Sequence, residues 1–146
     1  MYIGIDLGTS SVKIILVSKD GIIHKTVSKN YELIFPHASW SEQNPNDWYK
    51  QTLKALKELV IGFENQIQGI SFSGQMHGLV LLDAQDQVLR NAILWNDQRT
   101  TKEVEYLNNE IGIDRLLEYT GNIALTGLTA PKILWVKNNE PEIFKK

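Results

Sequence analysis

Gly4-Ile5-Asp6-Leu7-Gly8-Thr9-Ser10-Ser11-Val12-Lys13 is the stretch whose reading decides the fold. Residues 2–7 alternate, with Ile3, Ile5 and Leu7 on one face, and read as a strand. Gly8-Thr9-Ser10 turns the chain, and Ser11–Ser18, rich in Val and Ile, runs back as a second strand. The polar residues follow a chemical order: a carboxylate near the strand end, a glycine, three hydroxyls, then a lysine on the return. Gly8 can adopt positive φ and allows close approach to the backbone. Successive turn amides can form an anion-binding nest, to which Thr9, Ser10 and Ser11 add hydroxyl donors. Asp6 would repel a bare phosphate, so it suits this chemistry only with a cation between them. Mg²⁺ fits, because one carboxylate plus phosphate oxygens can hold it. Lys13 would offset charge on the phosphate tail. The same composition also suits a plain hairpin whose Asp and Thr satisfy their own turn.

Working outward, Lys19-Asp20-Gly21 carries a hairpin signal and Ile22–Leu33 reads as a third strand. After a loop around Pro36, His37 and Trp40, Asn44 caps a helix with Pro45 at its first position. Leu53, Leu56, Val60 and Phe63 recur at helical spacing as its core face, and Gly62 marks its end. Gln66–Phe72 is then a strand expected to pair parallel with the first. Gly78–Asp83 and Ala92–Trp95 are further strand candidates. Thr100-Thr101-Lys102-Glu103 has the form of a capping box opening a helix that Gly112 ends. A short helix around Asp114–Tyr119 and a last one from about Thr129 follow. The expected class is α/β, one domain over residues 1–146, with a mixed sheet opening βββαβ.

Two later loops carry polar chemistry. Ser73-Gly74-Gln75-Met76-His77-Gly78 follows a strand end, where ligand-contacting loops of α/β sheets tend to lie. Gln75 and His77 offer hydrogen bonds to hydroxyls, and Met76 a soft apolar wall. A histidine in such a place also serves often as a structural hydrogen-bonder. In Ala92-Ile93-Leu94-Trp95-Asn96-Asp97-Gln98-Arg99 an aromatic ring stands beside Asn and Asp, a combination suited to a sugar. The competing reading makes Trp95 a core anchor and Arg99 the partner of Asp97.

Bulk properties exclude several classes. With 15 basic and 17 acidic residues among 146, the net charge is −2, and nothing suggests a surface for nucleic acid or anionic lipid. There is no cysteine, hence no disulfide, thiolate metal site or thiol nucleophile, and a cytoplasmic location is expected. Asp6 interrupts what would be the apolar part of a signal peptide. Neither a P-loop nor a Rossmann glycine motif occurs, and Gly69-Ile70-Ser71-Phe72-Ser73 misses the serine-hydrolase elbow at its last position. Glu140-Pro141-Glu142-Ile143-Phe144-Lys145-Lys146 reads as a helix start with no stop, so a longer protein is expected.

Gly4–Lys13 resembles the opening phosphate motif of the FGGY carbohydrate kinases, members of the ribonuclease-H-like (actin-like ATPase) superfamily. The Gln75-Met76-His77-Gly78 and Leu94-Trp95-Asn96-Asp97 stretches are similar to those of the xylulokinase group within that family. Trp40-Ser41-Glu42-Gln43 and Thr129-Ala130-Pro131-Lys132-Ile133-Leu134-Trp135 fit the same group. The resemblance implies a ribonuclease-H-like fold, here as an N-terminal domain without the C-terminal nucleotide-binding one. It implies ATP and Mg²⁺, with Asp6, Gly8, Thr9, Ser10, Ser11 and Lys13 at the Mg-phosphates and Asp6 acting on the metal indirectly. It further implies that Met76 and His77 contact the sugar and that Trp95, Asn96 and Asp97 line or support its pocket, with Gln75 also counted to the substrate-binding set. D-Xylulose is the implied acceptor, with gluconate and ribulose as alternatives. The family's catalytic aspartate belongs to a later segment, so no catalytic base is expected here and the chain alone is expected to be inactive. Sugar and ATP are the expected partners, not nucleic acid or membrane, with a homodimer left open. A non-catalytic sugar-binding regulator and an actin-like scaffold ATPase are the rivals from other classes.

Overall fold

In the computed structural model, which describes residues 1–146, the chain forms six strands and five α-helices. They divide into two compact units: Met1–Glu32 with Pro45–Gln75, and Leu33–Asn44 with Met76–Lys146. Each has its own apolar core.

The first unit is a four-stranded mixed sheet in the order β3-β2-β1-β5, built from β1 (Tyr2–Leu7), β2 (Ser11–Val17), β3 (Ile23–Asn30) and β5 (Gly69–Gly74). β1 pairs antiparallel with β2 and parallel with β5, so the opening βββαβ order is realised. Alternation dictates the faces: Ile3 and Ile5 of β1 and Val12, Ile14 and Leu16 of β2 are buried against helix α1 (Pro45–Leu59). Each such side chain contributes roughly 1.5–3 kcal/mol by leaving water. The edge strand β3 carries Lys25 and Lys29 opposite Leu16 and Val12. Lys25 Nζ donates to the Glu58 carbonyl at 2.5 Å and Lys29 Nζ to Glu58 Oε2 at 2.6 Å. Cations near a helix C-terminus are favourable, and lysines also discourage edge pairing.

Several expectations shift here. The third strand ends at Asn30, because Tyr31 turns inward to the β1–β2 turn. On α1 the buried line is Thr52, Ala55 and Leu59; Leu56, Val60 and Phe63 flank it, and Leu53 is exposed. β5 starts at Gly69, since a 3₁₀ turn at Glu64–Gln66 occupies the beginning of the expected strand. Helix α1 ends at Leu59, earlier than expected, and Gly62, at φ +85°, lies in the turn that follows.

The second unit has little regular sheet. β4 (Glu42–Gln43) pairs antiparallel with β6 (Ala92–Ile93), and the expected strand at 78–83 is reduced to isolated bridges of Leu79 with Ile93 and Leu82 with Val88. Helix α2 (Thr101–Tyr106) widens into a π-helical stretch at Leu107–Gly112 and is followed by α3 (Ile113–Thr120), α4 (Thr129–Asn139) and α5 (Pro141–Phe144). Gly112, at φ +94°, separates the π stretch from α3. The capping box does not form. Thr100 Oγ1 donates to the Thr126 carbonyl, and buried Glu103 accepts from Asn138 Nδ2 instead of turning back to the helix start. No helix is long and apolar enough to cross a membrane.

Candidate functional site

The first cluster lies on the sheet face opposite the aliphatic core. Register places Asp6 directly between Lys13 of β2 and Ser73 of β5, and Gly4 between Ile15 and Ser71. Together with Ile5 and Phe72 these residues line a cavity of ≈ 290 Å³ that opens to solvent. Asp6, Ser10 and Lys13 are exposed, while Gly8, Thr9 and Ser11 are half-buried at the turn.

Gly8 is not in the left-handed region, contrary to the freedom expected of it. What requires glycine is space: its N–H donates to the Ser11 carbonyl at 3.0 Å, and a Cβ would lie only 3.2 Å from that oxygen. Tyr31, which sequence reasoning missed, braces the same turn. Its hydroxyl donates to the Gly8 carbonyl and its N–H to the Ser10 carbonyl. Burial, with the Asp6 carboxylate adding to it, pushes the Tyr31 phenol up to about 12. The sequence carried no trace of this brace, since Tyr31 fell inside the expected strand Ile22–Leu33.

No group of three or more His, Cys, Asp or Glu side chains is assembled to hold a metal. The donor set is one exposed carboxylate, Asp6, beside a lysine and hydroxyls, within an open cavity. That set fits Mg²⁺ carried by phosphates and does not resemble an all-protein metal cage.

The second cluster belongs to the second unit. The antiparallel bridge of Leu79 with Ile93, bonded at 2.9 and 3.1 Å, sets residues 76–78 alongside 94–96. Met76, 69% exposed, His77, Trp95 and Asn96 are thereby gathered at one surface, with Trp95 half exposed. His77 holds φ +61°, the left-handed region that a branched or bulky residue enters only under constraint. Its carbonyl is bound by Lys132, fully buried, whose Nζ donates to the carbonyls of His77 and Gly127, both at 2.7 Å. Gln75 belongs to the first unit and is half-buried, and its N–H extends the β1–β5 ladder by donating to the Leu7 carbonyl at 2.8 Å.

Of the lining and supporting places expected for Asp97, its burial fits the supporting one. It is 0% exposed. Its carboxylate accepts from Ser41 N–H at 2.7 Å, from Arg99 N–H and Nε at 2.9 Å each, and from Arg99 Nη2 at 2.7 Å. The competing reading of the sequence, a structural Asp97–Arg99 pair, is the arrangement found. Arg99 also meets Glu42 Oε1 at 2.8 Å, and Glu42 pairs with Arg90, which bonds Glu140 at 2.6 Å. The Arg99 guanidinium lies 3.8 Å from the Trp40 ring centroid and 4.9 Å from that of Trp135. Such stacking is favourable for a guanidinium removed from water. Asp97 therefore supports the Trp95–Asn96 turn from beneath. Lysine 132 was legible only as a cation among Ala130, Pro131, Ile133 and Leu134, a position where packing alone would favour an aliphatic residue.

The chain is similar to known proteins. The xylulose kinase of Bacillus subtilis (strain 168) is 58% identical over 147 residues, covering 99% of this chain and 29% of that protein. Among solved structures, the xyloylose kinase from Brucella ovis superposes with a TM-score of 0.92 at 41% identity, and the gluconate kinase from Lactobacillus acidophilus with 0.92 at 30%. Both matches cover 99% of this chain and 30% of the other. The chain thus spans about three-tenths of the length of the relatives it matches, and its mixed sheet and helices are those of an actin-like, ribonuclease-H-like N-terminal domain. Residues 1–146 match throughout the N-terminal domain of the FGGY family of carbohydrate kinases, and the chain belongs to that family.

Proposed function

We propose that the intact protein transfers the γ-phosphoryl group of Mg-ATP to a hydroxyl of D-xylulose, giving D-xylulose 5-phosphate and ADP. The observation that carries this reading is the paired loop surface. Exposed Met76 and His77 stand beside Trp95 and Asn96, an apolar wall and an aromatic ring flanked by hydrogen-bonding groups. A ring and a thioether can cover C–H faces while the imidazole and amide hold hydroxyls. The 58% identity to a xylulose kinase favours xylulose over gluconate, since the fold match to a gluconate kinase is equally good.

In this reading the Thr9–Ser11 turn receives the terminal phosphates. Tyr31 keeps the turn in shape, and Lys13 balances phosphate charge from the neighbouring strand. Mg²⁺, reached by Asp6, would neutralise charge building on the β- and γ-phosphate oxygens. The sugar oxygen bonds to the γ-phosphorus as the bond to the β,γ-bridging oxygen breaks, and the hydroxyl proton passes to a base. Among carboxylates considered for that base, Asp97 is buried and paired, and Asp83 Oδ1 accepts the N–H groups of Gln85 and Gln87. As the resemblance to the FGGY kinases implies, the base is assigned to the remainder of the intact protein, along with the C-terminal nucleotide-binding domain. A cytoplasmic location accompanies this reading.

The test is a sugar-panel phosphorylation assay on the intact protein. D-Xylulose should be phosphorylated with a higher kcat/KM than ribulose, gluconate or glycerol. Preference for another sugar would move the substrate, and ADP release without any sugar product would remove the kinase reading. The 146-residue chain alone should give no product.

A further inference from the structure

Lys132 sits fully buried in the first turn of α4, where its Nζ bridges the carbonyls of His77 and Gly127. Thr129 Oγ1 donates to the same His77 carbonyl at 3.3 Å. Gly127 is itself pressed against the other loop, because a Cβ there would stand 2.8 Å from the Trp95 carbonyl. One ammonium thus ties the turn carrying Met76 and His77 to a segment in contact with the backbone of Trp95. His77 holds a left-handed backbone at this tie, a conformation uncommon for a non-glycine residue.

We infer that Lys132 is a positioning residue for sugar recognition, locking the His77 turn onto Gly127 so that Met76 and His77 face the acceptor together with Trp95 and Asn96. The inference rests on the reading that these loops hold the sugar. A lysine does what an aliphatic residue of equal volume cannot, because two carbonyl oxygens converge on its Nζ. Burial lowers the Lys132 ammonium to about 8, with Asp97 favouring the charged form and Arg99 opposing it, so the cation persists at neutral pH. Removing a buried charge also relieves the cost of burying it, and Lys132→Met is expected to fold.

The experiment is steady-state kinetics of the intact protein with D-xylulose and ATP, for the wild type, Lys132→Met, His77→Ala and the double variant. Lys132→Met should raise the KM for xylulose by about 10-fold or more while the KM for ATP stays within about 2-fold. Because part of the effect of Lys132 runs through the His77 side chain, the double variant should raise the xylulose KM by clearly less than the product of the two single effects. An unchanged xylulose KM in Lys132→Met, equal changes in both KM values, or multiplicative effects in the double variant would overturn the inference while leaving the kinase reading intact. Lys132→Gln, which keeps an amide donor, replaces Lys132→Met in the cycle should the latter fail to fold. Absence of sugar phosphorylation by the wild type would instead remove the functional reading, and this inference with it.

Discussion

The phosphate-side hairpin and the loop surface around His77 are held by different physics. The hairpin is carried by a regular sheet whose alternating aliphatic residues are buried on one face, leaving Asp6, Lys13 and Ser73 in fixed register on the other. The loop surface has almost no ladder beneath it. Its shape is set by buried charged groups: Lys132 on two carbonyls, and the Asp97–Arg99–Glu42–Arg90 chain stacked on Trp40 and Trp135. A sheet places polar groups by periodicity and tolerates change in any one of them. A loop pinned by buried ions is set by a few irreplaceable contacts. Substitutions should therefore separate the two regions by what they damage.

The largest expected effect is on turnover. Asp6→Ala in the intact protein should lower kcat by at least ~100-fold, because charge stabilisation at the transferring group is lost. The melting temperature should barely move, since Asp6 is exposed and outside the core. Unchanged kcat would remove Asp6 from the mechanism. Next comes stability. Asp97→Ala leaves Arg99 buried without its closest partner and should cost about 3–5 kcal/mol in urea unfolding, whereas Ile14→Val, within the aliphatic core, should cost only about 0.5–1.5 kcal/mol. Equal costs would erase the distinction between the two regions. His77→Ala should raise the xylulose KM about tenfold, roughly 1.4 kcal/mol, with ATP affinity unchanged; an effect confined to ATP would contradict its assignment.

The smallest effect concerns Tyr31→Phe, which removes one donor from the Gly8 carbonyl and should cost about 1 kcal/mol near neutral pH. Its pH dependence has a definite sign. The folded phenol titrates at about 12, above its ordinary value of 10, so the protonated group stabilises the fold fully below pH 10. That contribution fades as pH rises through 12. A phenolate absorbance titration should show one late-titrating tyrosine in the wild type that is missing from Tyr31→Phe. Ordinary titration of Tyr31 would show that the turn lacks this brace.

The same contrast explains what the sequence disclosed. Period-two alternation in residues 2–18 and the Asp-Gly turn are local signals, and the βββαβ order follows from them. Helix α1 was legible through Pro45 and its spacing, although its buried line falls on Thr52, Ala55 and Leu59. Interactions between residues far apart in sequence left no such mark. Ser41 and Asp97, or His77 and Lys132, meet only after folding. Thr100 and Glu103 had the form of a cap, yet tertiary partners in Thr126 and Asn138 engage both side chains. Trp95 and Asp97, adjacent in one motif, part company for the same reason: the ring reaches the surface while the carboxylate turns in to Arg99.

The most direct test of the central claim is a crystal structure of the intact protein with magnesium and a non-hydrolysable ATP analogue. The account predicts the terminal phosphates against the Thr9–Ser11 turn, with the metal within one water of the Asp6 carboxylate. Phosphates bound elsewhere, with Asp6 turned away from the metal, would contradict it.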